Sequence, residues 1–213
     1  RINMSHINNS NTLKDSIKLI RDVSDEMNRQ IGVMMDIAGP KIRVSNTSDE
    51  IKVKRGKVFT IGFSNSDIKT NLDISFSKVD VNSKIRIDDG RVSFSVCRKI
   101  NNRKLEIKSL NSGVIKNGKG INFPNIKLGV PILTDKDIKD IKSGLKLDID
   151  WFALSFVRSH KDIFAIHDIF KKQKINKPVI AKIEKPEAVD DLDAIINAFD
   201  GILVARGDLG VEM

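Results

Sequence analysis

From residue 151 onward, runs of four to six mostly apolar residues alternate with amphipathic stretches: apolar at 151–156, helical spacing at 160–172, apolar at 179–183, helical spacing at 188–198, apolar at 201–204. Runs this short, each separated from the next by one helix's length, fit parallel strands buried on both faces and joined by crossover helices. The same unit opens the chain. An alternating strand-like segment at 1–6 leads to Leu13, Ile17, Ile20, Val23 and Met27 at helical spacing within 12–30, and then to a continuous apolar run at 31–37. Right-handed repetition of this unit builds a doubly wound sheet or a (β/α)8 barrel. The five parallel strands predicted here are too few to close an eight-stranded barrel.

Between the two halves the pattern changes. Gly39-Pro40 ends the second strand, and from 41 to 130 the chain shows short alternating stretches at 51–53, 58–63, 84–87, 91–97 and 105–109, broken by Gly and Asn turns. This predicts an inserted all-β domain, a small barrel. After Pro131 the alternation resumes, with Thr134 as the N-cap of a helix over 135–142. The predicted domains are therefore 1–39 (first part of the α/β domain), 40–130 (insert) and 131–213 (second part). The chain opens without an initiating methionine or leader and stops where another helix is due, so it reads as a piece cut at both ends. A partial barrel with open edges is expected to be unstable or to aggregate if made alone.

Composition narrows the function classes. Lys and Arg exceed Asp and Glu by 37 to 28, for a net charge of +9, yet the lysines are spread along the chain rather than gathered into a nucleic-acid face. Acidic, phosphorylated small molecules suit that balance better. Cys97 is the single cysteine, which excludes an internal disulfide and points to a reducing compartment; it is predicted as a small, half-buried strand residue. No apolar run approaches the ~18–20 residues of a membrane helix, so a cytoplasmic protein with no membrane partner is expected.

In parallel α/β folds, functional groups gather at the carboxyl ends of strands. Those ends here carry Asn3, Ser5 and His6; Asp36; Ser155 and Arg158; Lys182 and Glu184; and Arg206 and Asp208. Glu184 and Asp208 leave successive strands, and two carboxylates without nitrogen or sulfur ligands suit Mg2+ or Mn2+ with positions open for substrate. Taken singly, each acid is equally compatible with a solvated loop. Lys182, two residues before Glu184, could neutralise charge on a transferring phosphoryl group. The Ala205-Arg206-Gly207-Asp208 turn enters an expected helix and offers backbone amides to an anion, or is simply a strand exit. His6, His160 and His167 share no metal-ligand spacing, and no nucleophile elbow, P-loop or zinc pattern occurs.

These segments closely resemble the pyruvate kinase family, in order and over essentially the whole chain. The resemblance is carried by Arg1-Ile2-Asn3-Met4-Ser5-His6, Asp36-Ile37-Ala38-Gly39-Pro40-Lys41-Ile42-Arg43, Ile87-Asp88-Asp89-Gly90, Lys119-Gly120-Ile121-Asn122-Phe123-Pro124, Leu133-Thr134-Asp135-Lys136-Asp137, Ala153-Leu154-Ser155-Phe156-Val157-Arg158, Lys182-Ile183-Glu184 and the Asp200 to Gly210 segment. It implies a partial (β/α)8 TIM barrel, about strands two to six, with an inserted small β-barrel domain that closes as a lid. It implies phosphoryl transfer from phosphoenolpyruvate to ADP, giving ATP and pyruvate in glycolysis, with this fragment inactive alone. Carried over residue by residue, it makes Glu184 and Asp208 the Mg2+ (or Mn2+) ligands and Lys182 the catalytic cation, and has Arg1 contact the phosphoryl group. Ser155 and Phe156 would line the substrate pocket, and the amides of Ala205, Arg206, Gly207 and Asp208 would hold the substrate carboxylate.

Asn3, His6, Arg43 and Lys119 would handle nucleotide phosphates, and Asp89 would come from the lid. Asn3, Ser5 and Asp36 match the family's monovalent-cation ligands, but Lys41 stands where K+-requiring members usually carry Glu, so K+-independent activity is expected. A homotetramer is implied for the full-length protein, and the acid that protonates the enolate falls outside this chain. Two other readings compete: a Mg2+-dependent barrel aldolase or lyase acting through an enolate, and a basic RNA-binding module. The β-insert with Asp89 and Lys119 argues against the first, and the few, scattered aromatics of that insert argue against the second.

Overall fold

Helix caps and strand alternation decide most of the local structure. Asn9 accepts the Thr12 N–H at 2.8 Å and starts the helix Ser10–Glu26, earlier than the pattern of apolar residues indicated. Leu13 and Ile17 are buried, and Asn28 in the left-handed region (φ 48°) follows the helix end. The apolar run predicted at 31–37 forms a ladder only over Met34–Asp36. Val33 donates its N–H to the Asp150 carboxylate instead of a strand, at 2.6 Å. Thr134 caps Asp135–Gly144 through a full capping box with Asp137, as its position suggested.

The computed structural model describes residues 1–7, 9–46 and 50–213. They fall into two units, one of residues 1–40 and 131–206, the other of residues 41–130 and 207–213. The first is an α/β unit. Its sheet is fully parallel, in the order Ile2–Asn3, Met34–Asp36, Trp151–Leu154, Val179–Ile183, Gly201–Val204. Register pairs Asn3 with Asp36, Asp36 with Ala153, and Leu154 with Ala181, so residues just beyond these positions emerge together at the carboxyl edge. At the opposite edge Arg21 donates to Ile31 O (2.6 Å), Asp148 O (2.9 Å) and Asp150 Oδ2 (2.8 Å), tying the first helix to the strand starts. Burial pushes the Asp150 carboxyl up, but the Val33 N–H and Arg21 outweigh it and hold it below its ordinary range.

Two helices depart from the expected spans. The stretch 160–172 begins as a 3-10 turn, His160–Asp162, before the α-helix Ile163–Gln173. The stretch 188–198 is two helices, Pro186–Asp190 and Leu192–Ala198. The break falls at Asp191 (φ −106°, ψ 20°), whose carboxylate accepts the His160 N–H at 2.8 Å and meets His160 Nδ1 at 2.7 Å.

The second unit is β-rich. A six-stranded sheet runs Ile121–Asn122, Lys84–Ile87, Val92–Asn101, Lys104–Ser109, Val58–Gly62, Ile68–Lys69, antiparallel except for its last pair. A separate pair joins Glu50–Val53 to Gly113–Lys116. Alternate residues such as Phe59, Ile61, Ile85, Ile87, Phe94 and Ile107 point into one core, with Phe59 edge-on to Phe94 at 5.9 Å. Cys97 is exposed, not half-buried as predicted: it shares the outward face of its strand with Ser93 and Ser95, opposite the buried Phe94 and Val96. Among the described residues no helix is long and apolar enough to cross a membrane.

Candidate active site

At the carboxyl edge of the first unit, Lys182 enters from the strand Val179–Ile183 with its side chain only 12% exposed. Its ammonium lies 2.9 Å from Glu184 Oε1, 3.1 Å from Asp36 Oδ1 and 2.8 Å from Ser155 Oγ. Burial alone would lower the lysine pKa, but Glu184 and Asp36 outweigh it and raise the value above 10.5. The amine therefore stays a cation throughout the neutral range. Its three acceptors leave it a defined position rather than the mobile surface arrangement usual for lysine.

Each partner is itself held. Glu184 is 1% exposed and accepts the Phe156 N–H at 2.8 Å through Oε2. Asp36, 3% exposed, lies 3.5 Å from Arg1 Nε through Oδ2. Ser155 donates its hydroxyl to Ile37 O at 2.6 Å, which leaves oxygen lone pairs for Lys182. The strand expected over 151–156 ends at Leu154, and Phe156 then adopts φ 58°, a left-handed conformation rare for a bulky residue. That departure aims its N–H at Glu184, and Lys185 Nζ stands 5.9 Å from the Phe156 ring. Backbone strain of this kind collects at functional sites.

Gly39 makes the departure possible. Its φ is +69°, and a Cβ there would stand 2.9 Å from the Phe156 ring and 3.0 Å from Ser155 Cβ. Gly39→Ala is expected to destabilise the protein by about 2–4 kcal/mol, from left-handed strain plus overpacking. Urea denaturation checks this; an unchanged midpoint would remove the packing constraint on Phe156. Gly39 N–H is also bound, at 3.2 Å, by the fully buried Asp137, the acid of the Thr134 capping box. Sequence reasoning named Thr134 and missed Asp137, although the Thr-x-x-Asp spacing was visible.

The remaining residues named from sequence are placed as follows. Asn3 Oδ1 accepts the Ser5 N–H at 3.0 Å, and Ser5, His6 and Arg1 are exposed. Ala205 N–H extends the strand ladder to Ile183 O at 3.1 Å, and Arg206 opens the helix Arg206–Glu212. In the second unit Lys41 Nζ meets Asp208 Oδ1 at 2.6 Å, its stem passing close to Gly120, where a Cβ would come within 3.2 Å of Lys41 Cε. Arg43 donates to Gly118 O at 2.8 Å. Lys119 is 2.8 Å from Asp88, a residue the sequence reading passed over in favour of its exposed neighbour Asp89. Asp88, Asp89 and Gly90 all have positive φ (55°, 53° and 84°), a strained run with no signature in the sequence beyond the glycine.

The first unit thus gathers Lys182, Glu184, Asp36, Ser155, Phe156 and Arg1 at one strand edge, and the second joins Lys41 to Asp208. Comparison with known proteins identifies the family. The family described as "Pyruvate kinase, barrel domain" matches residues 1–213. Pyruvate kinase of Staphylococcus epidermidis is 36% identical over 221 aligned residues that include the whole chain and 37% of the relative. Pyruvate kinase 2 of Synechocystis is 37% identical, again over the whole chain and 37% of the relative. For pyruvate kinase of Corynebacterium glutamicum the identity is 35%, over the whole chain and 46% of the relative. The chain therefore spans less than half the length of these relatives. With the family match running from Arg1 to Met213, the chain belongs to the pyruvate kinase family, within its barrel domain.

Proposed function

We propose that the complete gene product is a pyruvate kinase, moving the phosphoryl group of phosphoenolpyruvate to ADP, and that this chain carries much of the phosphoryl-transfer centre. The observation that carries this reading is the Lys182 ammonium, nearly buried and fixed between Asp36, Glu184 and Ser155. A preorganised cation of this kind lowers the energy of charge that develops in the transition state without reorganising. Lys182 would stand beside the phosphoryl group as it leaves and beside the enolate oxygen that remains. Arg1 would contact the phosphoryl oxygens, Ser155 and Phe156 would line the pocket, and the amides of Arg206, Gly207 and Asp208 would hold the substrate carboxylate, the Ala205 N–H being committed to Ile183 O. The proton for the enolate would come from a group outside this chain.

Glu184 and Asp208 are the residues that would hold Mg2+ or Mn2+. Their chemistry fits: both offer hard carboxylate oxygens, the ligand type Mg2+ and Mn2+ prefer. When bound, such an ion supplies Lewis-acid neutralisation of phosphate and enolate charge. On the same reading the first unit holds barrel strands two to six, and the second is the inserted small β-barrel domain, acting as a lid that excludes water. Asn3 and His6, with Arg43 and Lys119 of that insert, would handle the nucleotide phosphates, and Asp89 would come from the insert as it closes. A cytoplasmic homotetramer follows from the family resemblance.

Lys41 stands where a K+-requiring member would carry an acid; Asn3, Ser5 and Asp36 would otherwise be the monovalent-cation ligands. Its ammonium can supply the charge of a bound K+, so the enzyme is expected to turn over at similar rates in Na+, in K+ or with neither. A rate rise of orders of magnitude on adding K+ would show that Lys41 does not replace the ion. The test of the reaction itself is phosphoenolpyruvate consumption followed by phosphorus NMR with and without ADP. Consumption only with ADP is expected; nucleotide-independent turnover would favour a lyase acting through an enolate.

A further inference from the structure

The helix Arg206–Glu212 carries Asp208 but has little means to hold itself in place. Seven residues are well below the ~12–15 at which an isolated helix becomes marginally stable. Gly207 and Gly210 each cost about 1 kcal/mol relative to alanine. Among the described residues, Glu212 is the one it fully buries, while Leu209 and Val211 are half-buried, so apolar burial anchors it only in part. Polar contacts to two cross-strand neighbours in the second unit add to that hold. Arg86 and Asn122 sit directly opposite each other in the antiparallel pair Lys84–Ile87 and Ile121–Asn122, so their side chains leave the same face of the sheet. Arg86 Nη1 donates to Val211 O at 2.5 Å, and Asn122 Nδ2 donates to Glu212 Oε1 at 2.7 Å. Asn122 is 6% and Glu212 2% exposed, so this second bond is made away from water, where losing one partner costs most.

We propose that Arg86 and Asn122 are positioning residues for Asp208. They fix the end of the short helix through Val211 and Glu212, while Lys41 fixes its start at Asp208 itself. This inference rests on the reading of Asp208 as a ligand of the divalent ion, and it adds two β-sheet residues that touch neither ion nor substrate. Outer partners of metal ligands commonly change affinity by roughly 10–100-fold when removed.

The test is Mn2+ binding to the complete gene product, followed by electron paramagnetic resonance of the free ion, alongside KM and kcat. Asn122→Ala is expected to raise the Mn2+ Kd roughly tenfold, with the KM for metal rising in step and kcat changing less. Glu212→Ala should match it and Glu212→Gln, which keeps the acceptor oxygen, should recover most of the loss. Asp208→Asn separates the two ideas. If Asp208→Asn weakens Mn2+ binding but Asn122→Ala and Glu212→Ala do not, the positioning role is overturned and the metal reading stands. If Asp208→Asn binds Mn2+ normally, the metal reading itself fails. Should the alanine variants not fold, hydrogen exchange in the unaltered protein decides: protection of the 210–213 amides comparable to the neighbouring sheet is expected, and exchange at the rate of a frayed helix would overturn the proposal.

Discussion

Lys182→Met is expected to lower the rate of pyruvate formation by the complete gene product about 10³-fold or more while leaving phosphoenolpyruvate binding far less affected. The methionine keeps the length of the side chain but removes the one cation set between Asp36, Glu184 and Ser155. Loss of a single preorganised group facing transition-state charge typically costs about 10²–10³ in kcat. In the proposed reaction the charge of a moving phosphoryl group and of an enolate oxygen would both depend on it, which places the expected effect at the upper end. The same substitution strands two nearly buried carboxylates, at a cost of about 3–5 kcal/mol. Stability must therefore be measured with activity. A folded variant with an unchanged rate would rule out Lys182 as the catalytic cation.

The linkage has a definite sign. Lys182 has a folded pKa raised above its ordinary 10.5. Its contribution to stability is thus fully present below 10.5 and is lost as pH rises through the higher folded value. Alkaline unfolding above that point should be shallower in Lys182→Met than in the unaltered protein. Stability at neutral pH should instead drop by a constant amount.

Glu184→Gln carries the second large effect. The amide can still accept the Phe156 N–H through its oxygen, so the strained Phe156 backbone keeps its partner. What disappears is the charge that faces Lys182 at 2.9 Å and that would bind the divalent ion. Mn2+ affinity is expected to fall by about 10²-fold, or roughly 2.7 kcal/mol, with activity falling at least as far. Measured Mn2+ binding equal to that of the unaltered protein would remove Glu184 from the metal site.

Much of this was legible from residues 131–204 and 1–37, because parallel strands buried on both faces leave continuous apolar runs and their helices leave 3.6-residue spacing. Thr134 was legible for the same local reason, a capping residue ahead of an amphipathic run. Lys182 could be suspected because a lysine near the end of an apolar strand is conspicuous, and the structure holds its ammonium between Glu184, Asp36 and Ser155. The misses share a different cause. The helix divides at Asp191, whose carboxylate meets His160, thirty-one positions away in sequence. Phe156 turns left-handed to reach Glu184, twenty-eight away, and Asn122 pairs with Glu212, ninety away. No local pattern encodes a contact at that separation. Cys97 is the exception, because the alternation of buried Val92, Phe94 and Val96 already puts it on the outward face.

The most direct measurement is lactate-dehydrogenase-coupled pyruvate formation by the complete gene product with phosphoenolpyruvate, ADP and Mg2+, omitting each component in turn. Pyruvate at a rate that depends on all three, and that collapses in Lys182→Met, is the expected result. No pyruvate from a folded protein, or the same rate with Lys182 replaced, would contradict the proposed phosphoryl-transfer centre.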